Sequence, residues 1–383
     1  MSDQTISWID SFLADRIQQV GVNGEKSRWH GVTSGIPQGS VLGPLLFVIF
    51  INDLPDIVKS NAFLFADDTK VFNIIKTVND TDTMQADLTN LEEWSNMWLL
   101  RFHPEKCKHM RIGKSNIEAN YKLHDKDLEK INSEKDIGVI IDKDLLFDQH
   151  INEKVNKANQ MFGTLRRTFQ YIDKETFVPL YKTLVRTHLD YASSVCAPYK
   201  TKHIDQLEGV QRRATKQIPG MKNLPYSERL KALKLPSLSY RRLRGDMIEV
   251  YKILNDKYDR QASSILKLWK DMTPRTSERG NNLKLYPQRA KTAIRKNSFA
   301  LRVVKYWNSL PDVVVTSPSL NAFKNRLDKY WEKQDIVYED FKADILLDGS
   351  DVNLKDLEHV GNTDMIESGI EELSAPALEN NDR

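Results

Sequence analysis

The sequence has few of the residues that build disulfide scaffolds, and it lacks a membrane-spanning segment. Only 2 of its 383 residues are cysteines, Cys107 and Cys196. This excludes a disulfide framework and favours a reducing, intracellular compartment, the cytoplasm or the nucleus. No basic start is followed by an apolar stretch, so a signal peptide is not indicated. The longest apolar run, residues 41–51, is interrupted by Gly43 and Pro44. It is shorter than the roughly 20 residues that cross a bilayer, so no membrane partner is expected.

Charge is distributed unevenly along the chain. The net charge is +3, but residues 335–383 contain 14 Asp and Glu against three Lys and Arg, which leaves residues 1–334 with a net charge of +14. A basic body favours phosphate-bearing partners, although a well-solvated surface has the same composition. The acidic end is typical of a disordered tail, and masking of the basic body from non-specific nucleic acid is the alternative.

A loop rich in glycine and proline precedes the apolar run. Gly35 and Gly39 allow the backbone to approach a ligand closely, and Pro37 stiffens the loop. Gln38 can donate and accept hydrogen bonds, and Ser40 can cap the following helix. That helix is apolar all round, which predicts burial on every side. The loop therefore suits support of a nucleic-acid strand, and a plain strand-to-helix connector is the alternative.

Two adjacent aspartates, Asp67 and Asp68, join two strand-like segments, residues 62–66 and 69–74. Asp tolerates the backbone angles of a tight hairpin turn. Carboxylates are the hard oxygen ligands that Mg²⁺ or Mn²⁺ prefers. Because neighbouring side chains of a strand point to opposite faces, we expect Asp67 to be the main ligand. An ordinary exposed turn is the alternative. The apolar neighbours that predict a turn pressed against a core are Phe63, Phe65, Val71 and Phe72.

A lysine follows the next predicted helix, within His103-Pro104-Glu105-Lys106-Cys107. Lys106 near a triphosphate could stabilise or protonate departing pyrophosphate, and a solvent-facing lysine is the alternative. We interpret Cys107 as a small buried apolar residue rather than a nucleophile. Neither His103 nor His109 has partners at metal-ligand spacing, so a zinc site is not indicated.

Basic and aromatic residues occur together in two later segments, residues 275–295 and 299–311. Lys and Arg can bind phosphates while aromatic rings stack on exposed bases. The helical spacing of the aromatic residues suits core packing equally well. The residues that we favour for nucleic-acid binding are Arg289, Lys291, Arg295, Lys296 and Arg302.

The order and spacing of these motifs resemble the palm of a reverse transcriptase of the non-LTR retrotransposon type, LINE or jockey-like. The resemblance runs over roughly residues 6–333. The segments that carry it most specifically are Gly35–Phe47, Asn52–Pro55 and Phe65–Asp68, and Leu100–Cys107 resembles the palm motif that ends in a functional lysine. It implies an α/β (α+β) palm remnant in residues 1–144 and an α-helical thumb and C-terminal region in residues 145–334. The acidic tail would then occupy residues 335–383.

The same resemblance implies RNA-directed DNA synthesis by metal-dependent nucleotidyl transfer, with an RNA template, a DNA primer, dNTPs, and Mg²⁺ or Mn²⁺. It assigns Asp67 and Asp68 to the metal and to catalysis, and Lys106 to catalysis. The residues it assigns to template or nucleotide binding are Gly35, Pro37, Gln38, Gly39, Ser40 and Ala66.

One family feature has no counterpart in this sequence. The family has a further metal-bridging aspartate on an earlier palm strand, and no aspartate in residues 1–15 fits that role. We therefore expect weak metal binding and little activity from this chain alone. A non-catalytic RNA- or DNA-binding protein from a degenerate element is the alternative.

Overall fold

The computed structural model divides the chain into two compact units. It describes residues 2–113, 117–169, 171–258, 264–272, 282–347 and Leu357. The amino-terminal unit comprises residues 1–132 and the carboxy-terminal unit residues 133–383. The sequence predicted a boundary at residue 144. The division comes earlier because a hairpin before residue 144 packs on the following helix, where the backbone N–H of Ile140 donates to His150 Nδ1 at 3.2 Å.

Short strands and three α-helices make up the described part of the amino-terminal unit. The α-helices are α1 (Asp3–Leu13), α2 (Leu42–Phe50) and α3 (Val78–Met97), and a 3-10 segment (Leu54–Ile57) lies between α2 and α3. The strands are β1 (Ile17–Gln18), β2 (Gly21–Val22), β3 (Glu25–Lys26), β4 (His30–Gly31), β5 (Asn61–Phe65), β6 (Asp68–Phe72), β7 (Lys108–Met110), β8 (Lys122–Leu123), β9 (Lys126–Asp127) and β10 (Glu129–Ile131).

These strands form only two-stranded sheets within the described residues. The pairs β1–β4, β2–β3, β5–β6 and β8–β9 are antiparallel, and β7–β10 is parallel. The α+β class predicted from the sequence agrees with this mixture of helices and small sheets.

One apolar core holds the elements that carry the sequence motifs. Its buried residues, which we call the site core, are Ile51, Leu54, Leu91 and Trp94. Partly buried side chains pack against it from α2, from the β5–β6 hairpin and from the segment after α3. They include Phe47, Leu64, Val71, Leu88, Leu100 and Phe102.

Helix α2 is less buried than its sequence predicted. Its composition predicted burial on every side, but Leu45, Val48 and Ile49 are exposed and Gly43 is its only fully buried residue. The described residues of this unit cover a single stripe of α2, the one through which Phe47 reaches the site core. An apolar sequence therefore identified the helix but not the extent of its contacts.

The carboxy-terminal unit is mostly helical, in agreement with the predicted helical region. It begins with an antiparallel hairpin, β11 (Ser133–Asp136) and β12 (Val139–Asp142). A π-helical segment, Tyr181–Arg186, connects α5 to α6. The helices are α4 (Asp148–Thr168), α5 (Lys174–Leu180), α6 (Thr187–Asp190), α7 (Ser193–Cys196), α8 (Thr201–Thr215), α9 (Tyr226–Leu233), α10 (Leu238–Leu254), α11 (Trp269–Met272), α12 (Ala293–Lys296), α13 (Phe299–Ser309), α14 (Asp312–Val315), α15 (Leu320–Trp331) and α16 (Asp335–Tyr338). None of the described helices is both long enough and apolar enough to span a membrane.

Packed structure continues past residue 334. Ile336 and Val337 of α16 are buried, and the backbone N–H of Ser237 donates to Val337 O at 2.8 Å. Residues 335–347 therefore belong to the helical body instead of the acidic tail that the sequence predicted from residue 335. The prediction rested on charge alone and did not consider the apolar side chains of this segment, which pack beside the start of α10. The rest of the predicted tail, apart from Leu357, lies outside the described residues.

Candidate active site and nucleic-acid interface

The glycine-proline loop is shaped by two left-handed glycines and a serine cap. Gly35 and Gly39 have φ of +80° and +81°, the region in which glycine is favoured. Ser40 Oγ donates to Pro37 O at 2.8 Å and accepts from the backbone N–H of Gly43 at 2.9 Å. Ser40 therefore accepts a hydrogen bond from the first turn of α2, as predicted, although Val41 is the residue that directly precedes the helix and it has no side-chain cap.

Two residues that the sequence analysis did not assign to the site hold this loop in place. A Cβ at Gly43 would lie 2.9 Å from Pro37 O and 3.1 Å from Ser40 Oγ, so only glycine allows this close approach. Arg16 donates from Nη2 to Gly35 O and from Nε to Leu13 O, and so connects the loop to the end of α1. The role of Gly43 had a signal in the sequence, because a glycine near the start of an apolar helix often has a packing reason. The role of Arg16 had no signal in the neighbouring sequence.

The hairpin tip is placed one residue earlier than the sequence predicted. Phe65 pairs with Asp68, so Ala66 and Asp67 are the two turn residues and Asp68 begins β6. Ala66 has φ +51°, a left-handed conformation that costs an L-residue roughly 1–2 kcal/mol. The tip therefore combines an exposed carboxylate with a strained backbone, and such strain is often found at functional sites.

The two faces of the hairpin have different environments. Leu64 and Val71 pack against the site core. Phe63 and Phe72 lie on the opposite face, stacked with ring centroids 5.4 Å apart and about half exposed. Phe65 shares this face with its cross-strand partner Asp68. The prediction that the apolar neighbours press the turn against a core is thus right for Val71 and wrong for the three phenylalanines, because the strand alternation directs them away.

Helix α3 fixes the chain that leads into the hairpin, through a residue the sequence analysis missed. Asp87 is fully buried, and its two carboxylate oxygens accept the backbone N–H groups of Lys59 and Ser60 at 2.8 and 2.9 Å. Asn90 of the same helix donates to Ile57 O at 3.0 Å. A lone Asp within a helix has no sequence signal for this role, since its partners lie 27 and 28 residues earlier.

Lys106 lies on an exposed turn after α3. Its backbone N–H donates to His103 O at 2.9 Å, and its side chain is open to solvent. The preceding segment is connected to α3, because Ser95 Oγ donates to Leu100 O at 2.8 Å. Burial raises the pKa of the Cys107 thiol, which agrees with its interpretation as an unreactive residue.

The hairpin tip offers two carboxylates to a metal ion. Among the described residues, no group of three or more His, Cys, Asp or Glu could hold one. Asp67 and Asp68 are exposed. Magnesium is commonly bound by one or two carboxylates together with substrate phosphates and waters. The donor set therefore fits a site that substrate completes, and it does not form a closed metal cage.

Four of the residues favoured for nucleic-acid binding are exposed in the carboxy-terminal unit. Arg289 and Lys291 precede α12, and Arg295 and Lys296 end it. Over the described parts of the chain, none of the four makes an ion pair, and the guanidinium of Arg295 has a single hydrogen bond, to Gln288 Oε1 at 3.3 Å. Residues 275–281, which begin the predicted basic segment, lie outside the described residues.

Arg302 is held by contacts within the fold, and these contacts disfavour its predicted role in nucleic-acid binding. Its Nε and Nη2 each donate to a carboxylate oxygen of Asp246 at 2.8 Å. The remaining hydrogen bonds reach the carbonyl oxygens of Asn297, Ser193 and Ser194. Burial raises the pKa of Asp246, although hydrogen bonds from Arg302 favour its charged form. The sequence could not reveal this pair, because Asp246 lies 56 residues earlier.

Comparison with known proteins agrees with the motif geometry. Residues 1–158 match the family model described as reverse transcriptase (RNA-dependent DNA polymerase). This match covers less than half of the chain, and the matched residues contain the glycine-proline loop, the Asp67–Asp68 hairpin and Lys106.

Several curated proteins that the chain resembles are named as RNA-directed DNA polymerases of mobile elements or transposons. The chain is 26% identical over 229 residues to the RNA-directed DNA polymerase from mobile element jockey of Drosophila melanogaster, covering 55% of this chain and 25% of that protein. It is 26% identical over 293 residues to the jockey polymerase of Drosophila funebris, covering 70% of this chain and 30% of that protein. The chain thus spans less than a third of the length of these relatives.

A third relative extends the similarity beyond jockey. The probable RNA-directed DNA polymerase from transposon BS of Drosophila melanogaster is 30% identical over 171 residues, which cover 41% of this chain and 19% of that protein. No solved structure matches the chain significantly.

Proposed function

We propose that the amino-terminal unit is the part of a polymerase palm that presents metal-binding carboxylates and supports the template, and that the helical region after it acts as the thumb. The proposed activity is RNA-directed DNA synthesis on an RNA template with a DNA primer and dNTPs. The observation that carries this proposal is the site core, against which α2, the hairpin and the segment before Lys106 all pack. Three motifs distant in sequence thereby share one rigid support.

The residues divide the proposed chemistry among them. Asp67, with Asp68, would hold Mg²⁺ or Mn²⁺, whose charge would favour attack of a primer 3′-hydroxyl on the α-phosphate of a dNTP. Gln38 has no hydrogen-bond partner among the described residues, so its exposed amide is available to a template strand. The Lys106 ammonium would stabilise or protonate departing pyrophosphate. With only two exposed carboxylates in the donor set, we propose weak metal binding by the chain alone.

Two measurements on the full chain test this proposal. The first is binding of Mn²⁺, followed by electron paramagnetic resonance. The second is primer extension on a primed RNA template with dNTPs and Mg²⁺ or Mn²⁺. Both compare the wild type with Asp67→Asn and with Asp82→Asn, which removes one exposed carboxylate from α3. We expect Asp67→Asn to abolish the specific Mn²⁺ binding and Asp82→Asn to leave it unchanged.

Each outcome bears on the proposal. Extension that depends on Asp67 supports both the metal site and a working polymerase. Binding of Mn²⁺ that depends on Asp67 without extension supports the metal site and shows that this chain alone is inactive. Loss of neither property in Asp67→Asn rejects the proposed role of the hairpin.

A second function, nucleic-acid binding without catalysis, is favoured by the four exposed cations near α12. Arg289, Lys291, Arg295 and Lys296 have no acidic partners within the described residues, so they are free to neutralise phosphates. If this is the chain's only function, RNA affinity will fall steeply with salt and Asp67→Asn will not change it. Affinity that is independent of salt would remove this alternative.

A further inference from the structure

The carboxy-terminal unit contains a cavity that neither motif explains. Its volume is about 370 Å³, within the range of roughly 300–1,000 Å³ typical of ligand pockets. Aromatic residues Phe147, Tyr199 and Phe299 line it together with aliphatic residues of α7, α10 and α12. The Arg302 guanidinium packs over the ring of Phe299, 5.5 Å from its centre. The walls can therefore present flat apolar surfaces to a ligand.

Folding leaves part of this apolar lining in water. Val195 of α7 is 56% exposed and Ile294 of α12 is 37% exposed, and both line the cavity. Neighbouring Ile265 is 46% exposed. Single exposed apolar residues are ordinary, but a group of them around one concavity indicates a binding surface.

A few polar groups interrupt the apolar walls. One is the carboxylate of Glu249, whose charge is paired with Lys252 Nζ at 3.3 Å and which accepts from the Tyr258 hydroxyl at 2.6 Å. The hydroxyls of Ser194 and Tyr199 have no hydrogen-bond partner in the described parts of the chain, and both residues line the cavity. Asn297 also lines it; its Nδ2 donates to Ala293 O at 2.8 Å, whereas its Oδ1 has no donor among the described residues. Apolar walls with a few uncommitted donors and acceptors are the usual makeup of a ligand site.

Positive charge lies directly beside the cavity. Residues 282–311 contain seven Lys and Arg and no Asp or Glu. Arg302 is neutralised by Asp246, and Lys305 by Asp344. Arg295 and Lys296 remain without ion pairs in the described structure, and they stand between Ile294 and Asn297, which both line the cavity. A ligand with a planar apolar part and an adjoining negative charge fits this combination.

We propose that this cavity binds an unpaired nucleotide of a single-stranded nucleic acid. The base would stack on the aromatic walls and reach the polar atoms of Ser194, Tyr199 and Asn297 with its edge. The adjoining phosphates would contact Arg295 and Lys296. The proposal deepens the nucleic-acid-binding function, and it uses no residue of the proposed metal site. Asp67→Asn should therefore leave nucleotide binding in the cavity unchanged. Failure of this proposal can thus be distinguished from failure of the polymerase proposal.

The first test measures what the base contributes to binding. Fluorescence anisotropy of the full chain compares single-stranded RNA of about 12 nucleotides, a typical site length, with an abasic phosphodiester oligomer of equal length. Stacking of one base is worth a factor of about ten, so we expect about tenfold weaker binding of the abasic oligomer. Val195→Trp fills the cavity from an exposed position. This variant should bind the normal RNA and the abasic oligomer with similar affinity.

The second test measures the charge. Arg295→Gln with Lys296→Gln should weaken binding of both oligomers and lower the slope of log affinity against log salt by roughly 1.4, since each contact contributes about 0.7 for single strands. The matched control is Lys216→Gln with Lys222→Gln, which removes the same charge from exposed positions after α8. That control should change the slope by less than half as much.

A third measurement needs no variant, in case Val195→Trp does not fold. An RNA that contains 2-aminopurine should lose fluorescence on binding, because the base stacks on an aromatic ring. Single-stranded DNA and free nucleotide monophosphates in the same assay distinguish the source of the nucleotide. Equal affinity of the wild type for the normal and abasic oligomers, or unchanged 2-aminopurine fluorescence, would overturn the proposal. The proposal would also be overturned if the wild type bound anionic phospholipid vesicles more tightly than RNA and if Val195→Trp abolished that binding.

Discussion

Replacement of Gly43 by alanine tests whether close packing at the start of α2 shapes the glycine-proline loop. The added Cβ would lie 2.9 Å from Pro37 O and 3.1 Å from Ser40 Oγ. The first neighbour is a backbone atom, so the overlap is relieved only by moving the loop. Overpacking of this kind costs typically 1–3 kcal/mol. The higher helix propensity of alanine returns at most about 1 kcal/mol, so we expect a net loss of about 1–2 kcal/mol.

Hydrogen exchange measured by mass spectrometry reports this loss where it occurs. A local destabilisation of about 1–2 kcal/mol corresponds to roughly 5–30-fold faster exchange, and we expect it in peptides that contain residues 35–43. Gly31→Ala is the matched control, because nothing lies within 4 Å of a Cβ at Gly31 and its φ is not left-handed. That change should leave exchange in residues 35–43 unaltered. Equal exchange in Gly43→Ala and the wild type would refute the reasoning.

Two further predictions concern the carboxy-terminal unit. Burial lowers the pKa of His150 from 6.5 to about 4. The unfolded chain therefore binds this proton first as pH falls, and about 3 kcal/mol of stability should be lost between pH 6.5 and 4. Urea unfolding at several pH values should show this dependence weakened in His150→Asn, and an equally steep dependence in both proteins would contradict it. Arg302→Gln should cost about 3–5 kcal/mol in urea unfolding, because it leaves Asp246 buried and unpaired. Lys305→Gln, which breaks an exposed pair, should cost less than about 1 kcal/mol, and similar losses in the two variants would show that burial does not decide the effect.

Features of the site that depend on local chemistry could be predicted from the sequence. The hairpin follows from two strand-like segments around a turn, and the cap by Ser40 follows from a serine three residues before Gly43. The position of the turn was off by one residue, because Ala66 adopts a left-handed φ that its side chain disfavours. Local propensity indicates that a turn exists, whereas strand register sets its position.

Features that depend on partners distant in sequence could not be predicted. The guanidinium of Arg302 has the chemistry of a phosphate ligand, and only the fold brings Asp246 next to it. Likewise, Ser237 Oγ donates to Ile336 O across 99 residues, so nothing local indicated that α16 packs. The exposed faces of α2 and of the hairpin were not predicted either, because in these elements the expected contacts are absent among the described residues of the amino-terminal unit. Their apolar sequences predicted burial, but the described residues of the amino-terminal unit cover only one side of each.

The β5–β6 hairpin has a practical consequence for any variant of its tip, because its phenyl rings are about half exposed and, among the described strands, β5 and β6 pair only with each other. Open strand edges beside apolar rings favour pairing between molecules, and like charges on the strand oppose it. Asp67 and Asp68 supply two of those charges. A double alanine variant, the usual way to disable such a pair, would remove this protection together with the proposed metal ligands and is at risk of precipitating. A single asparagine keeps one charge and the side-chain shape, so it separates loss of the proposed metal binding from loss of solubility.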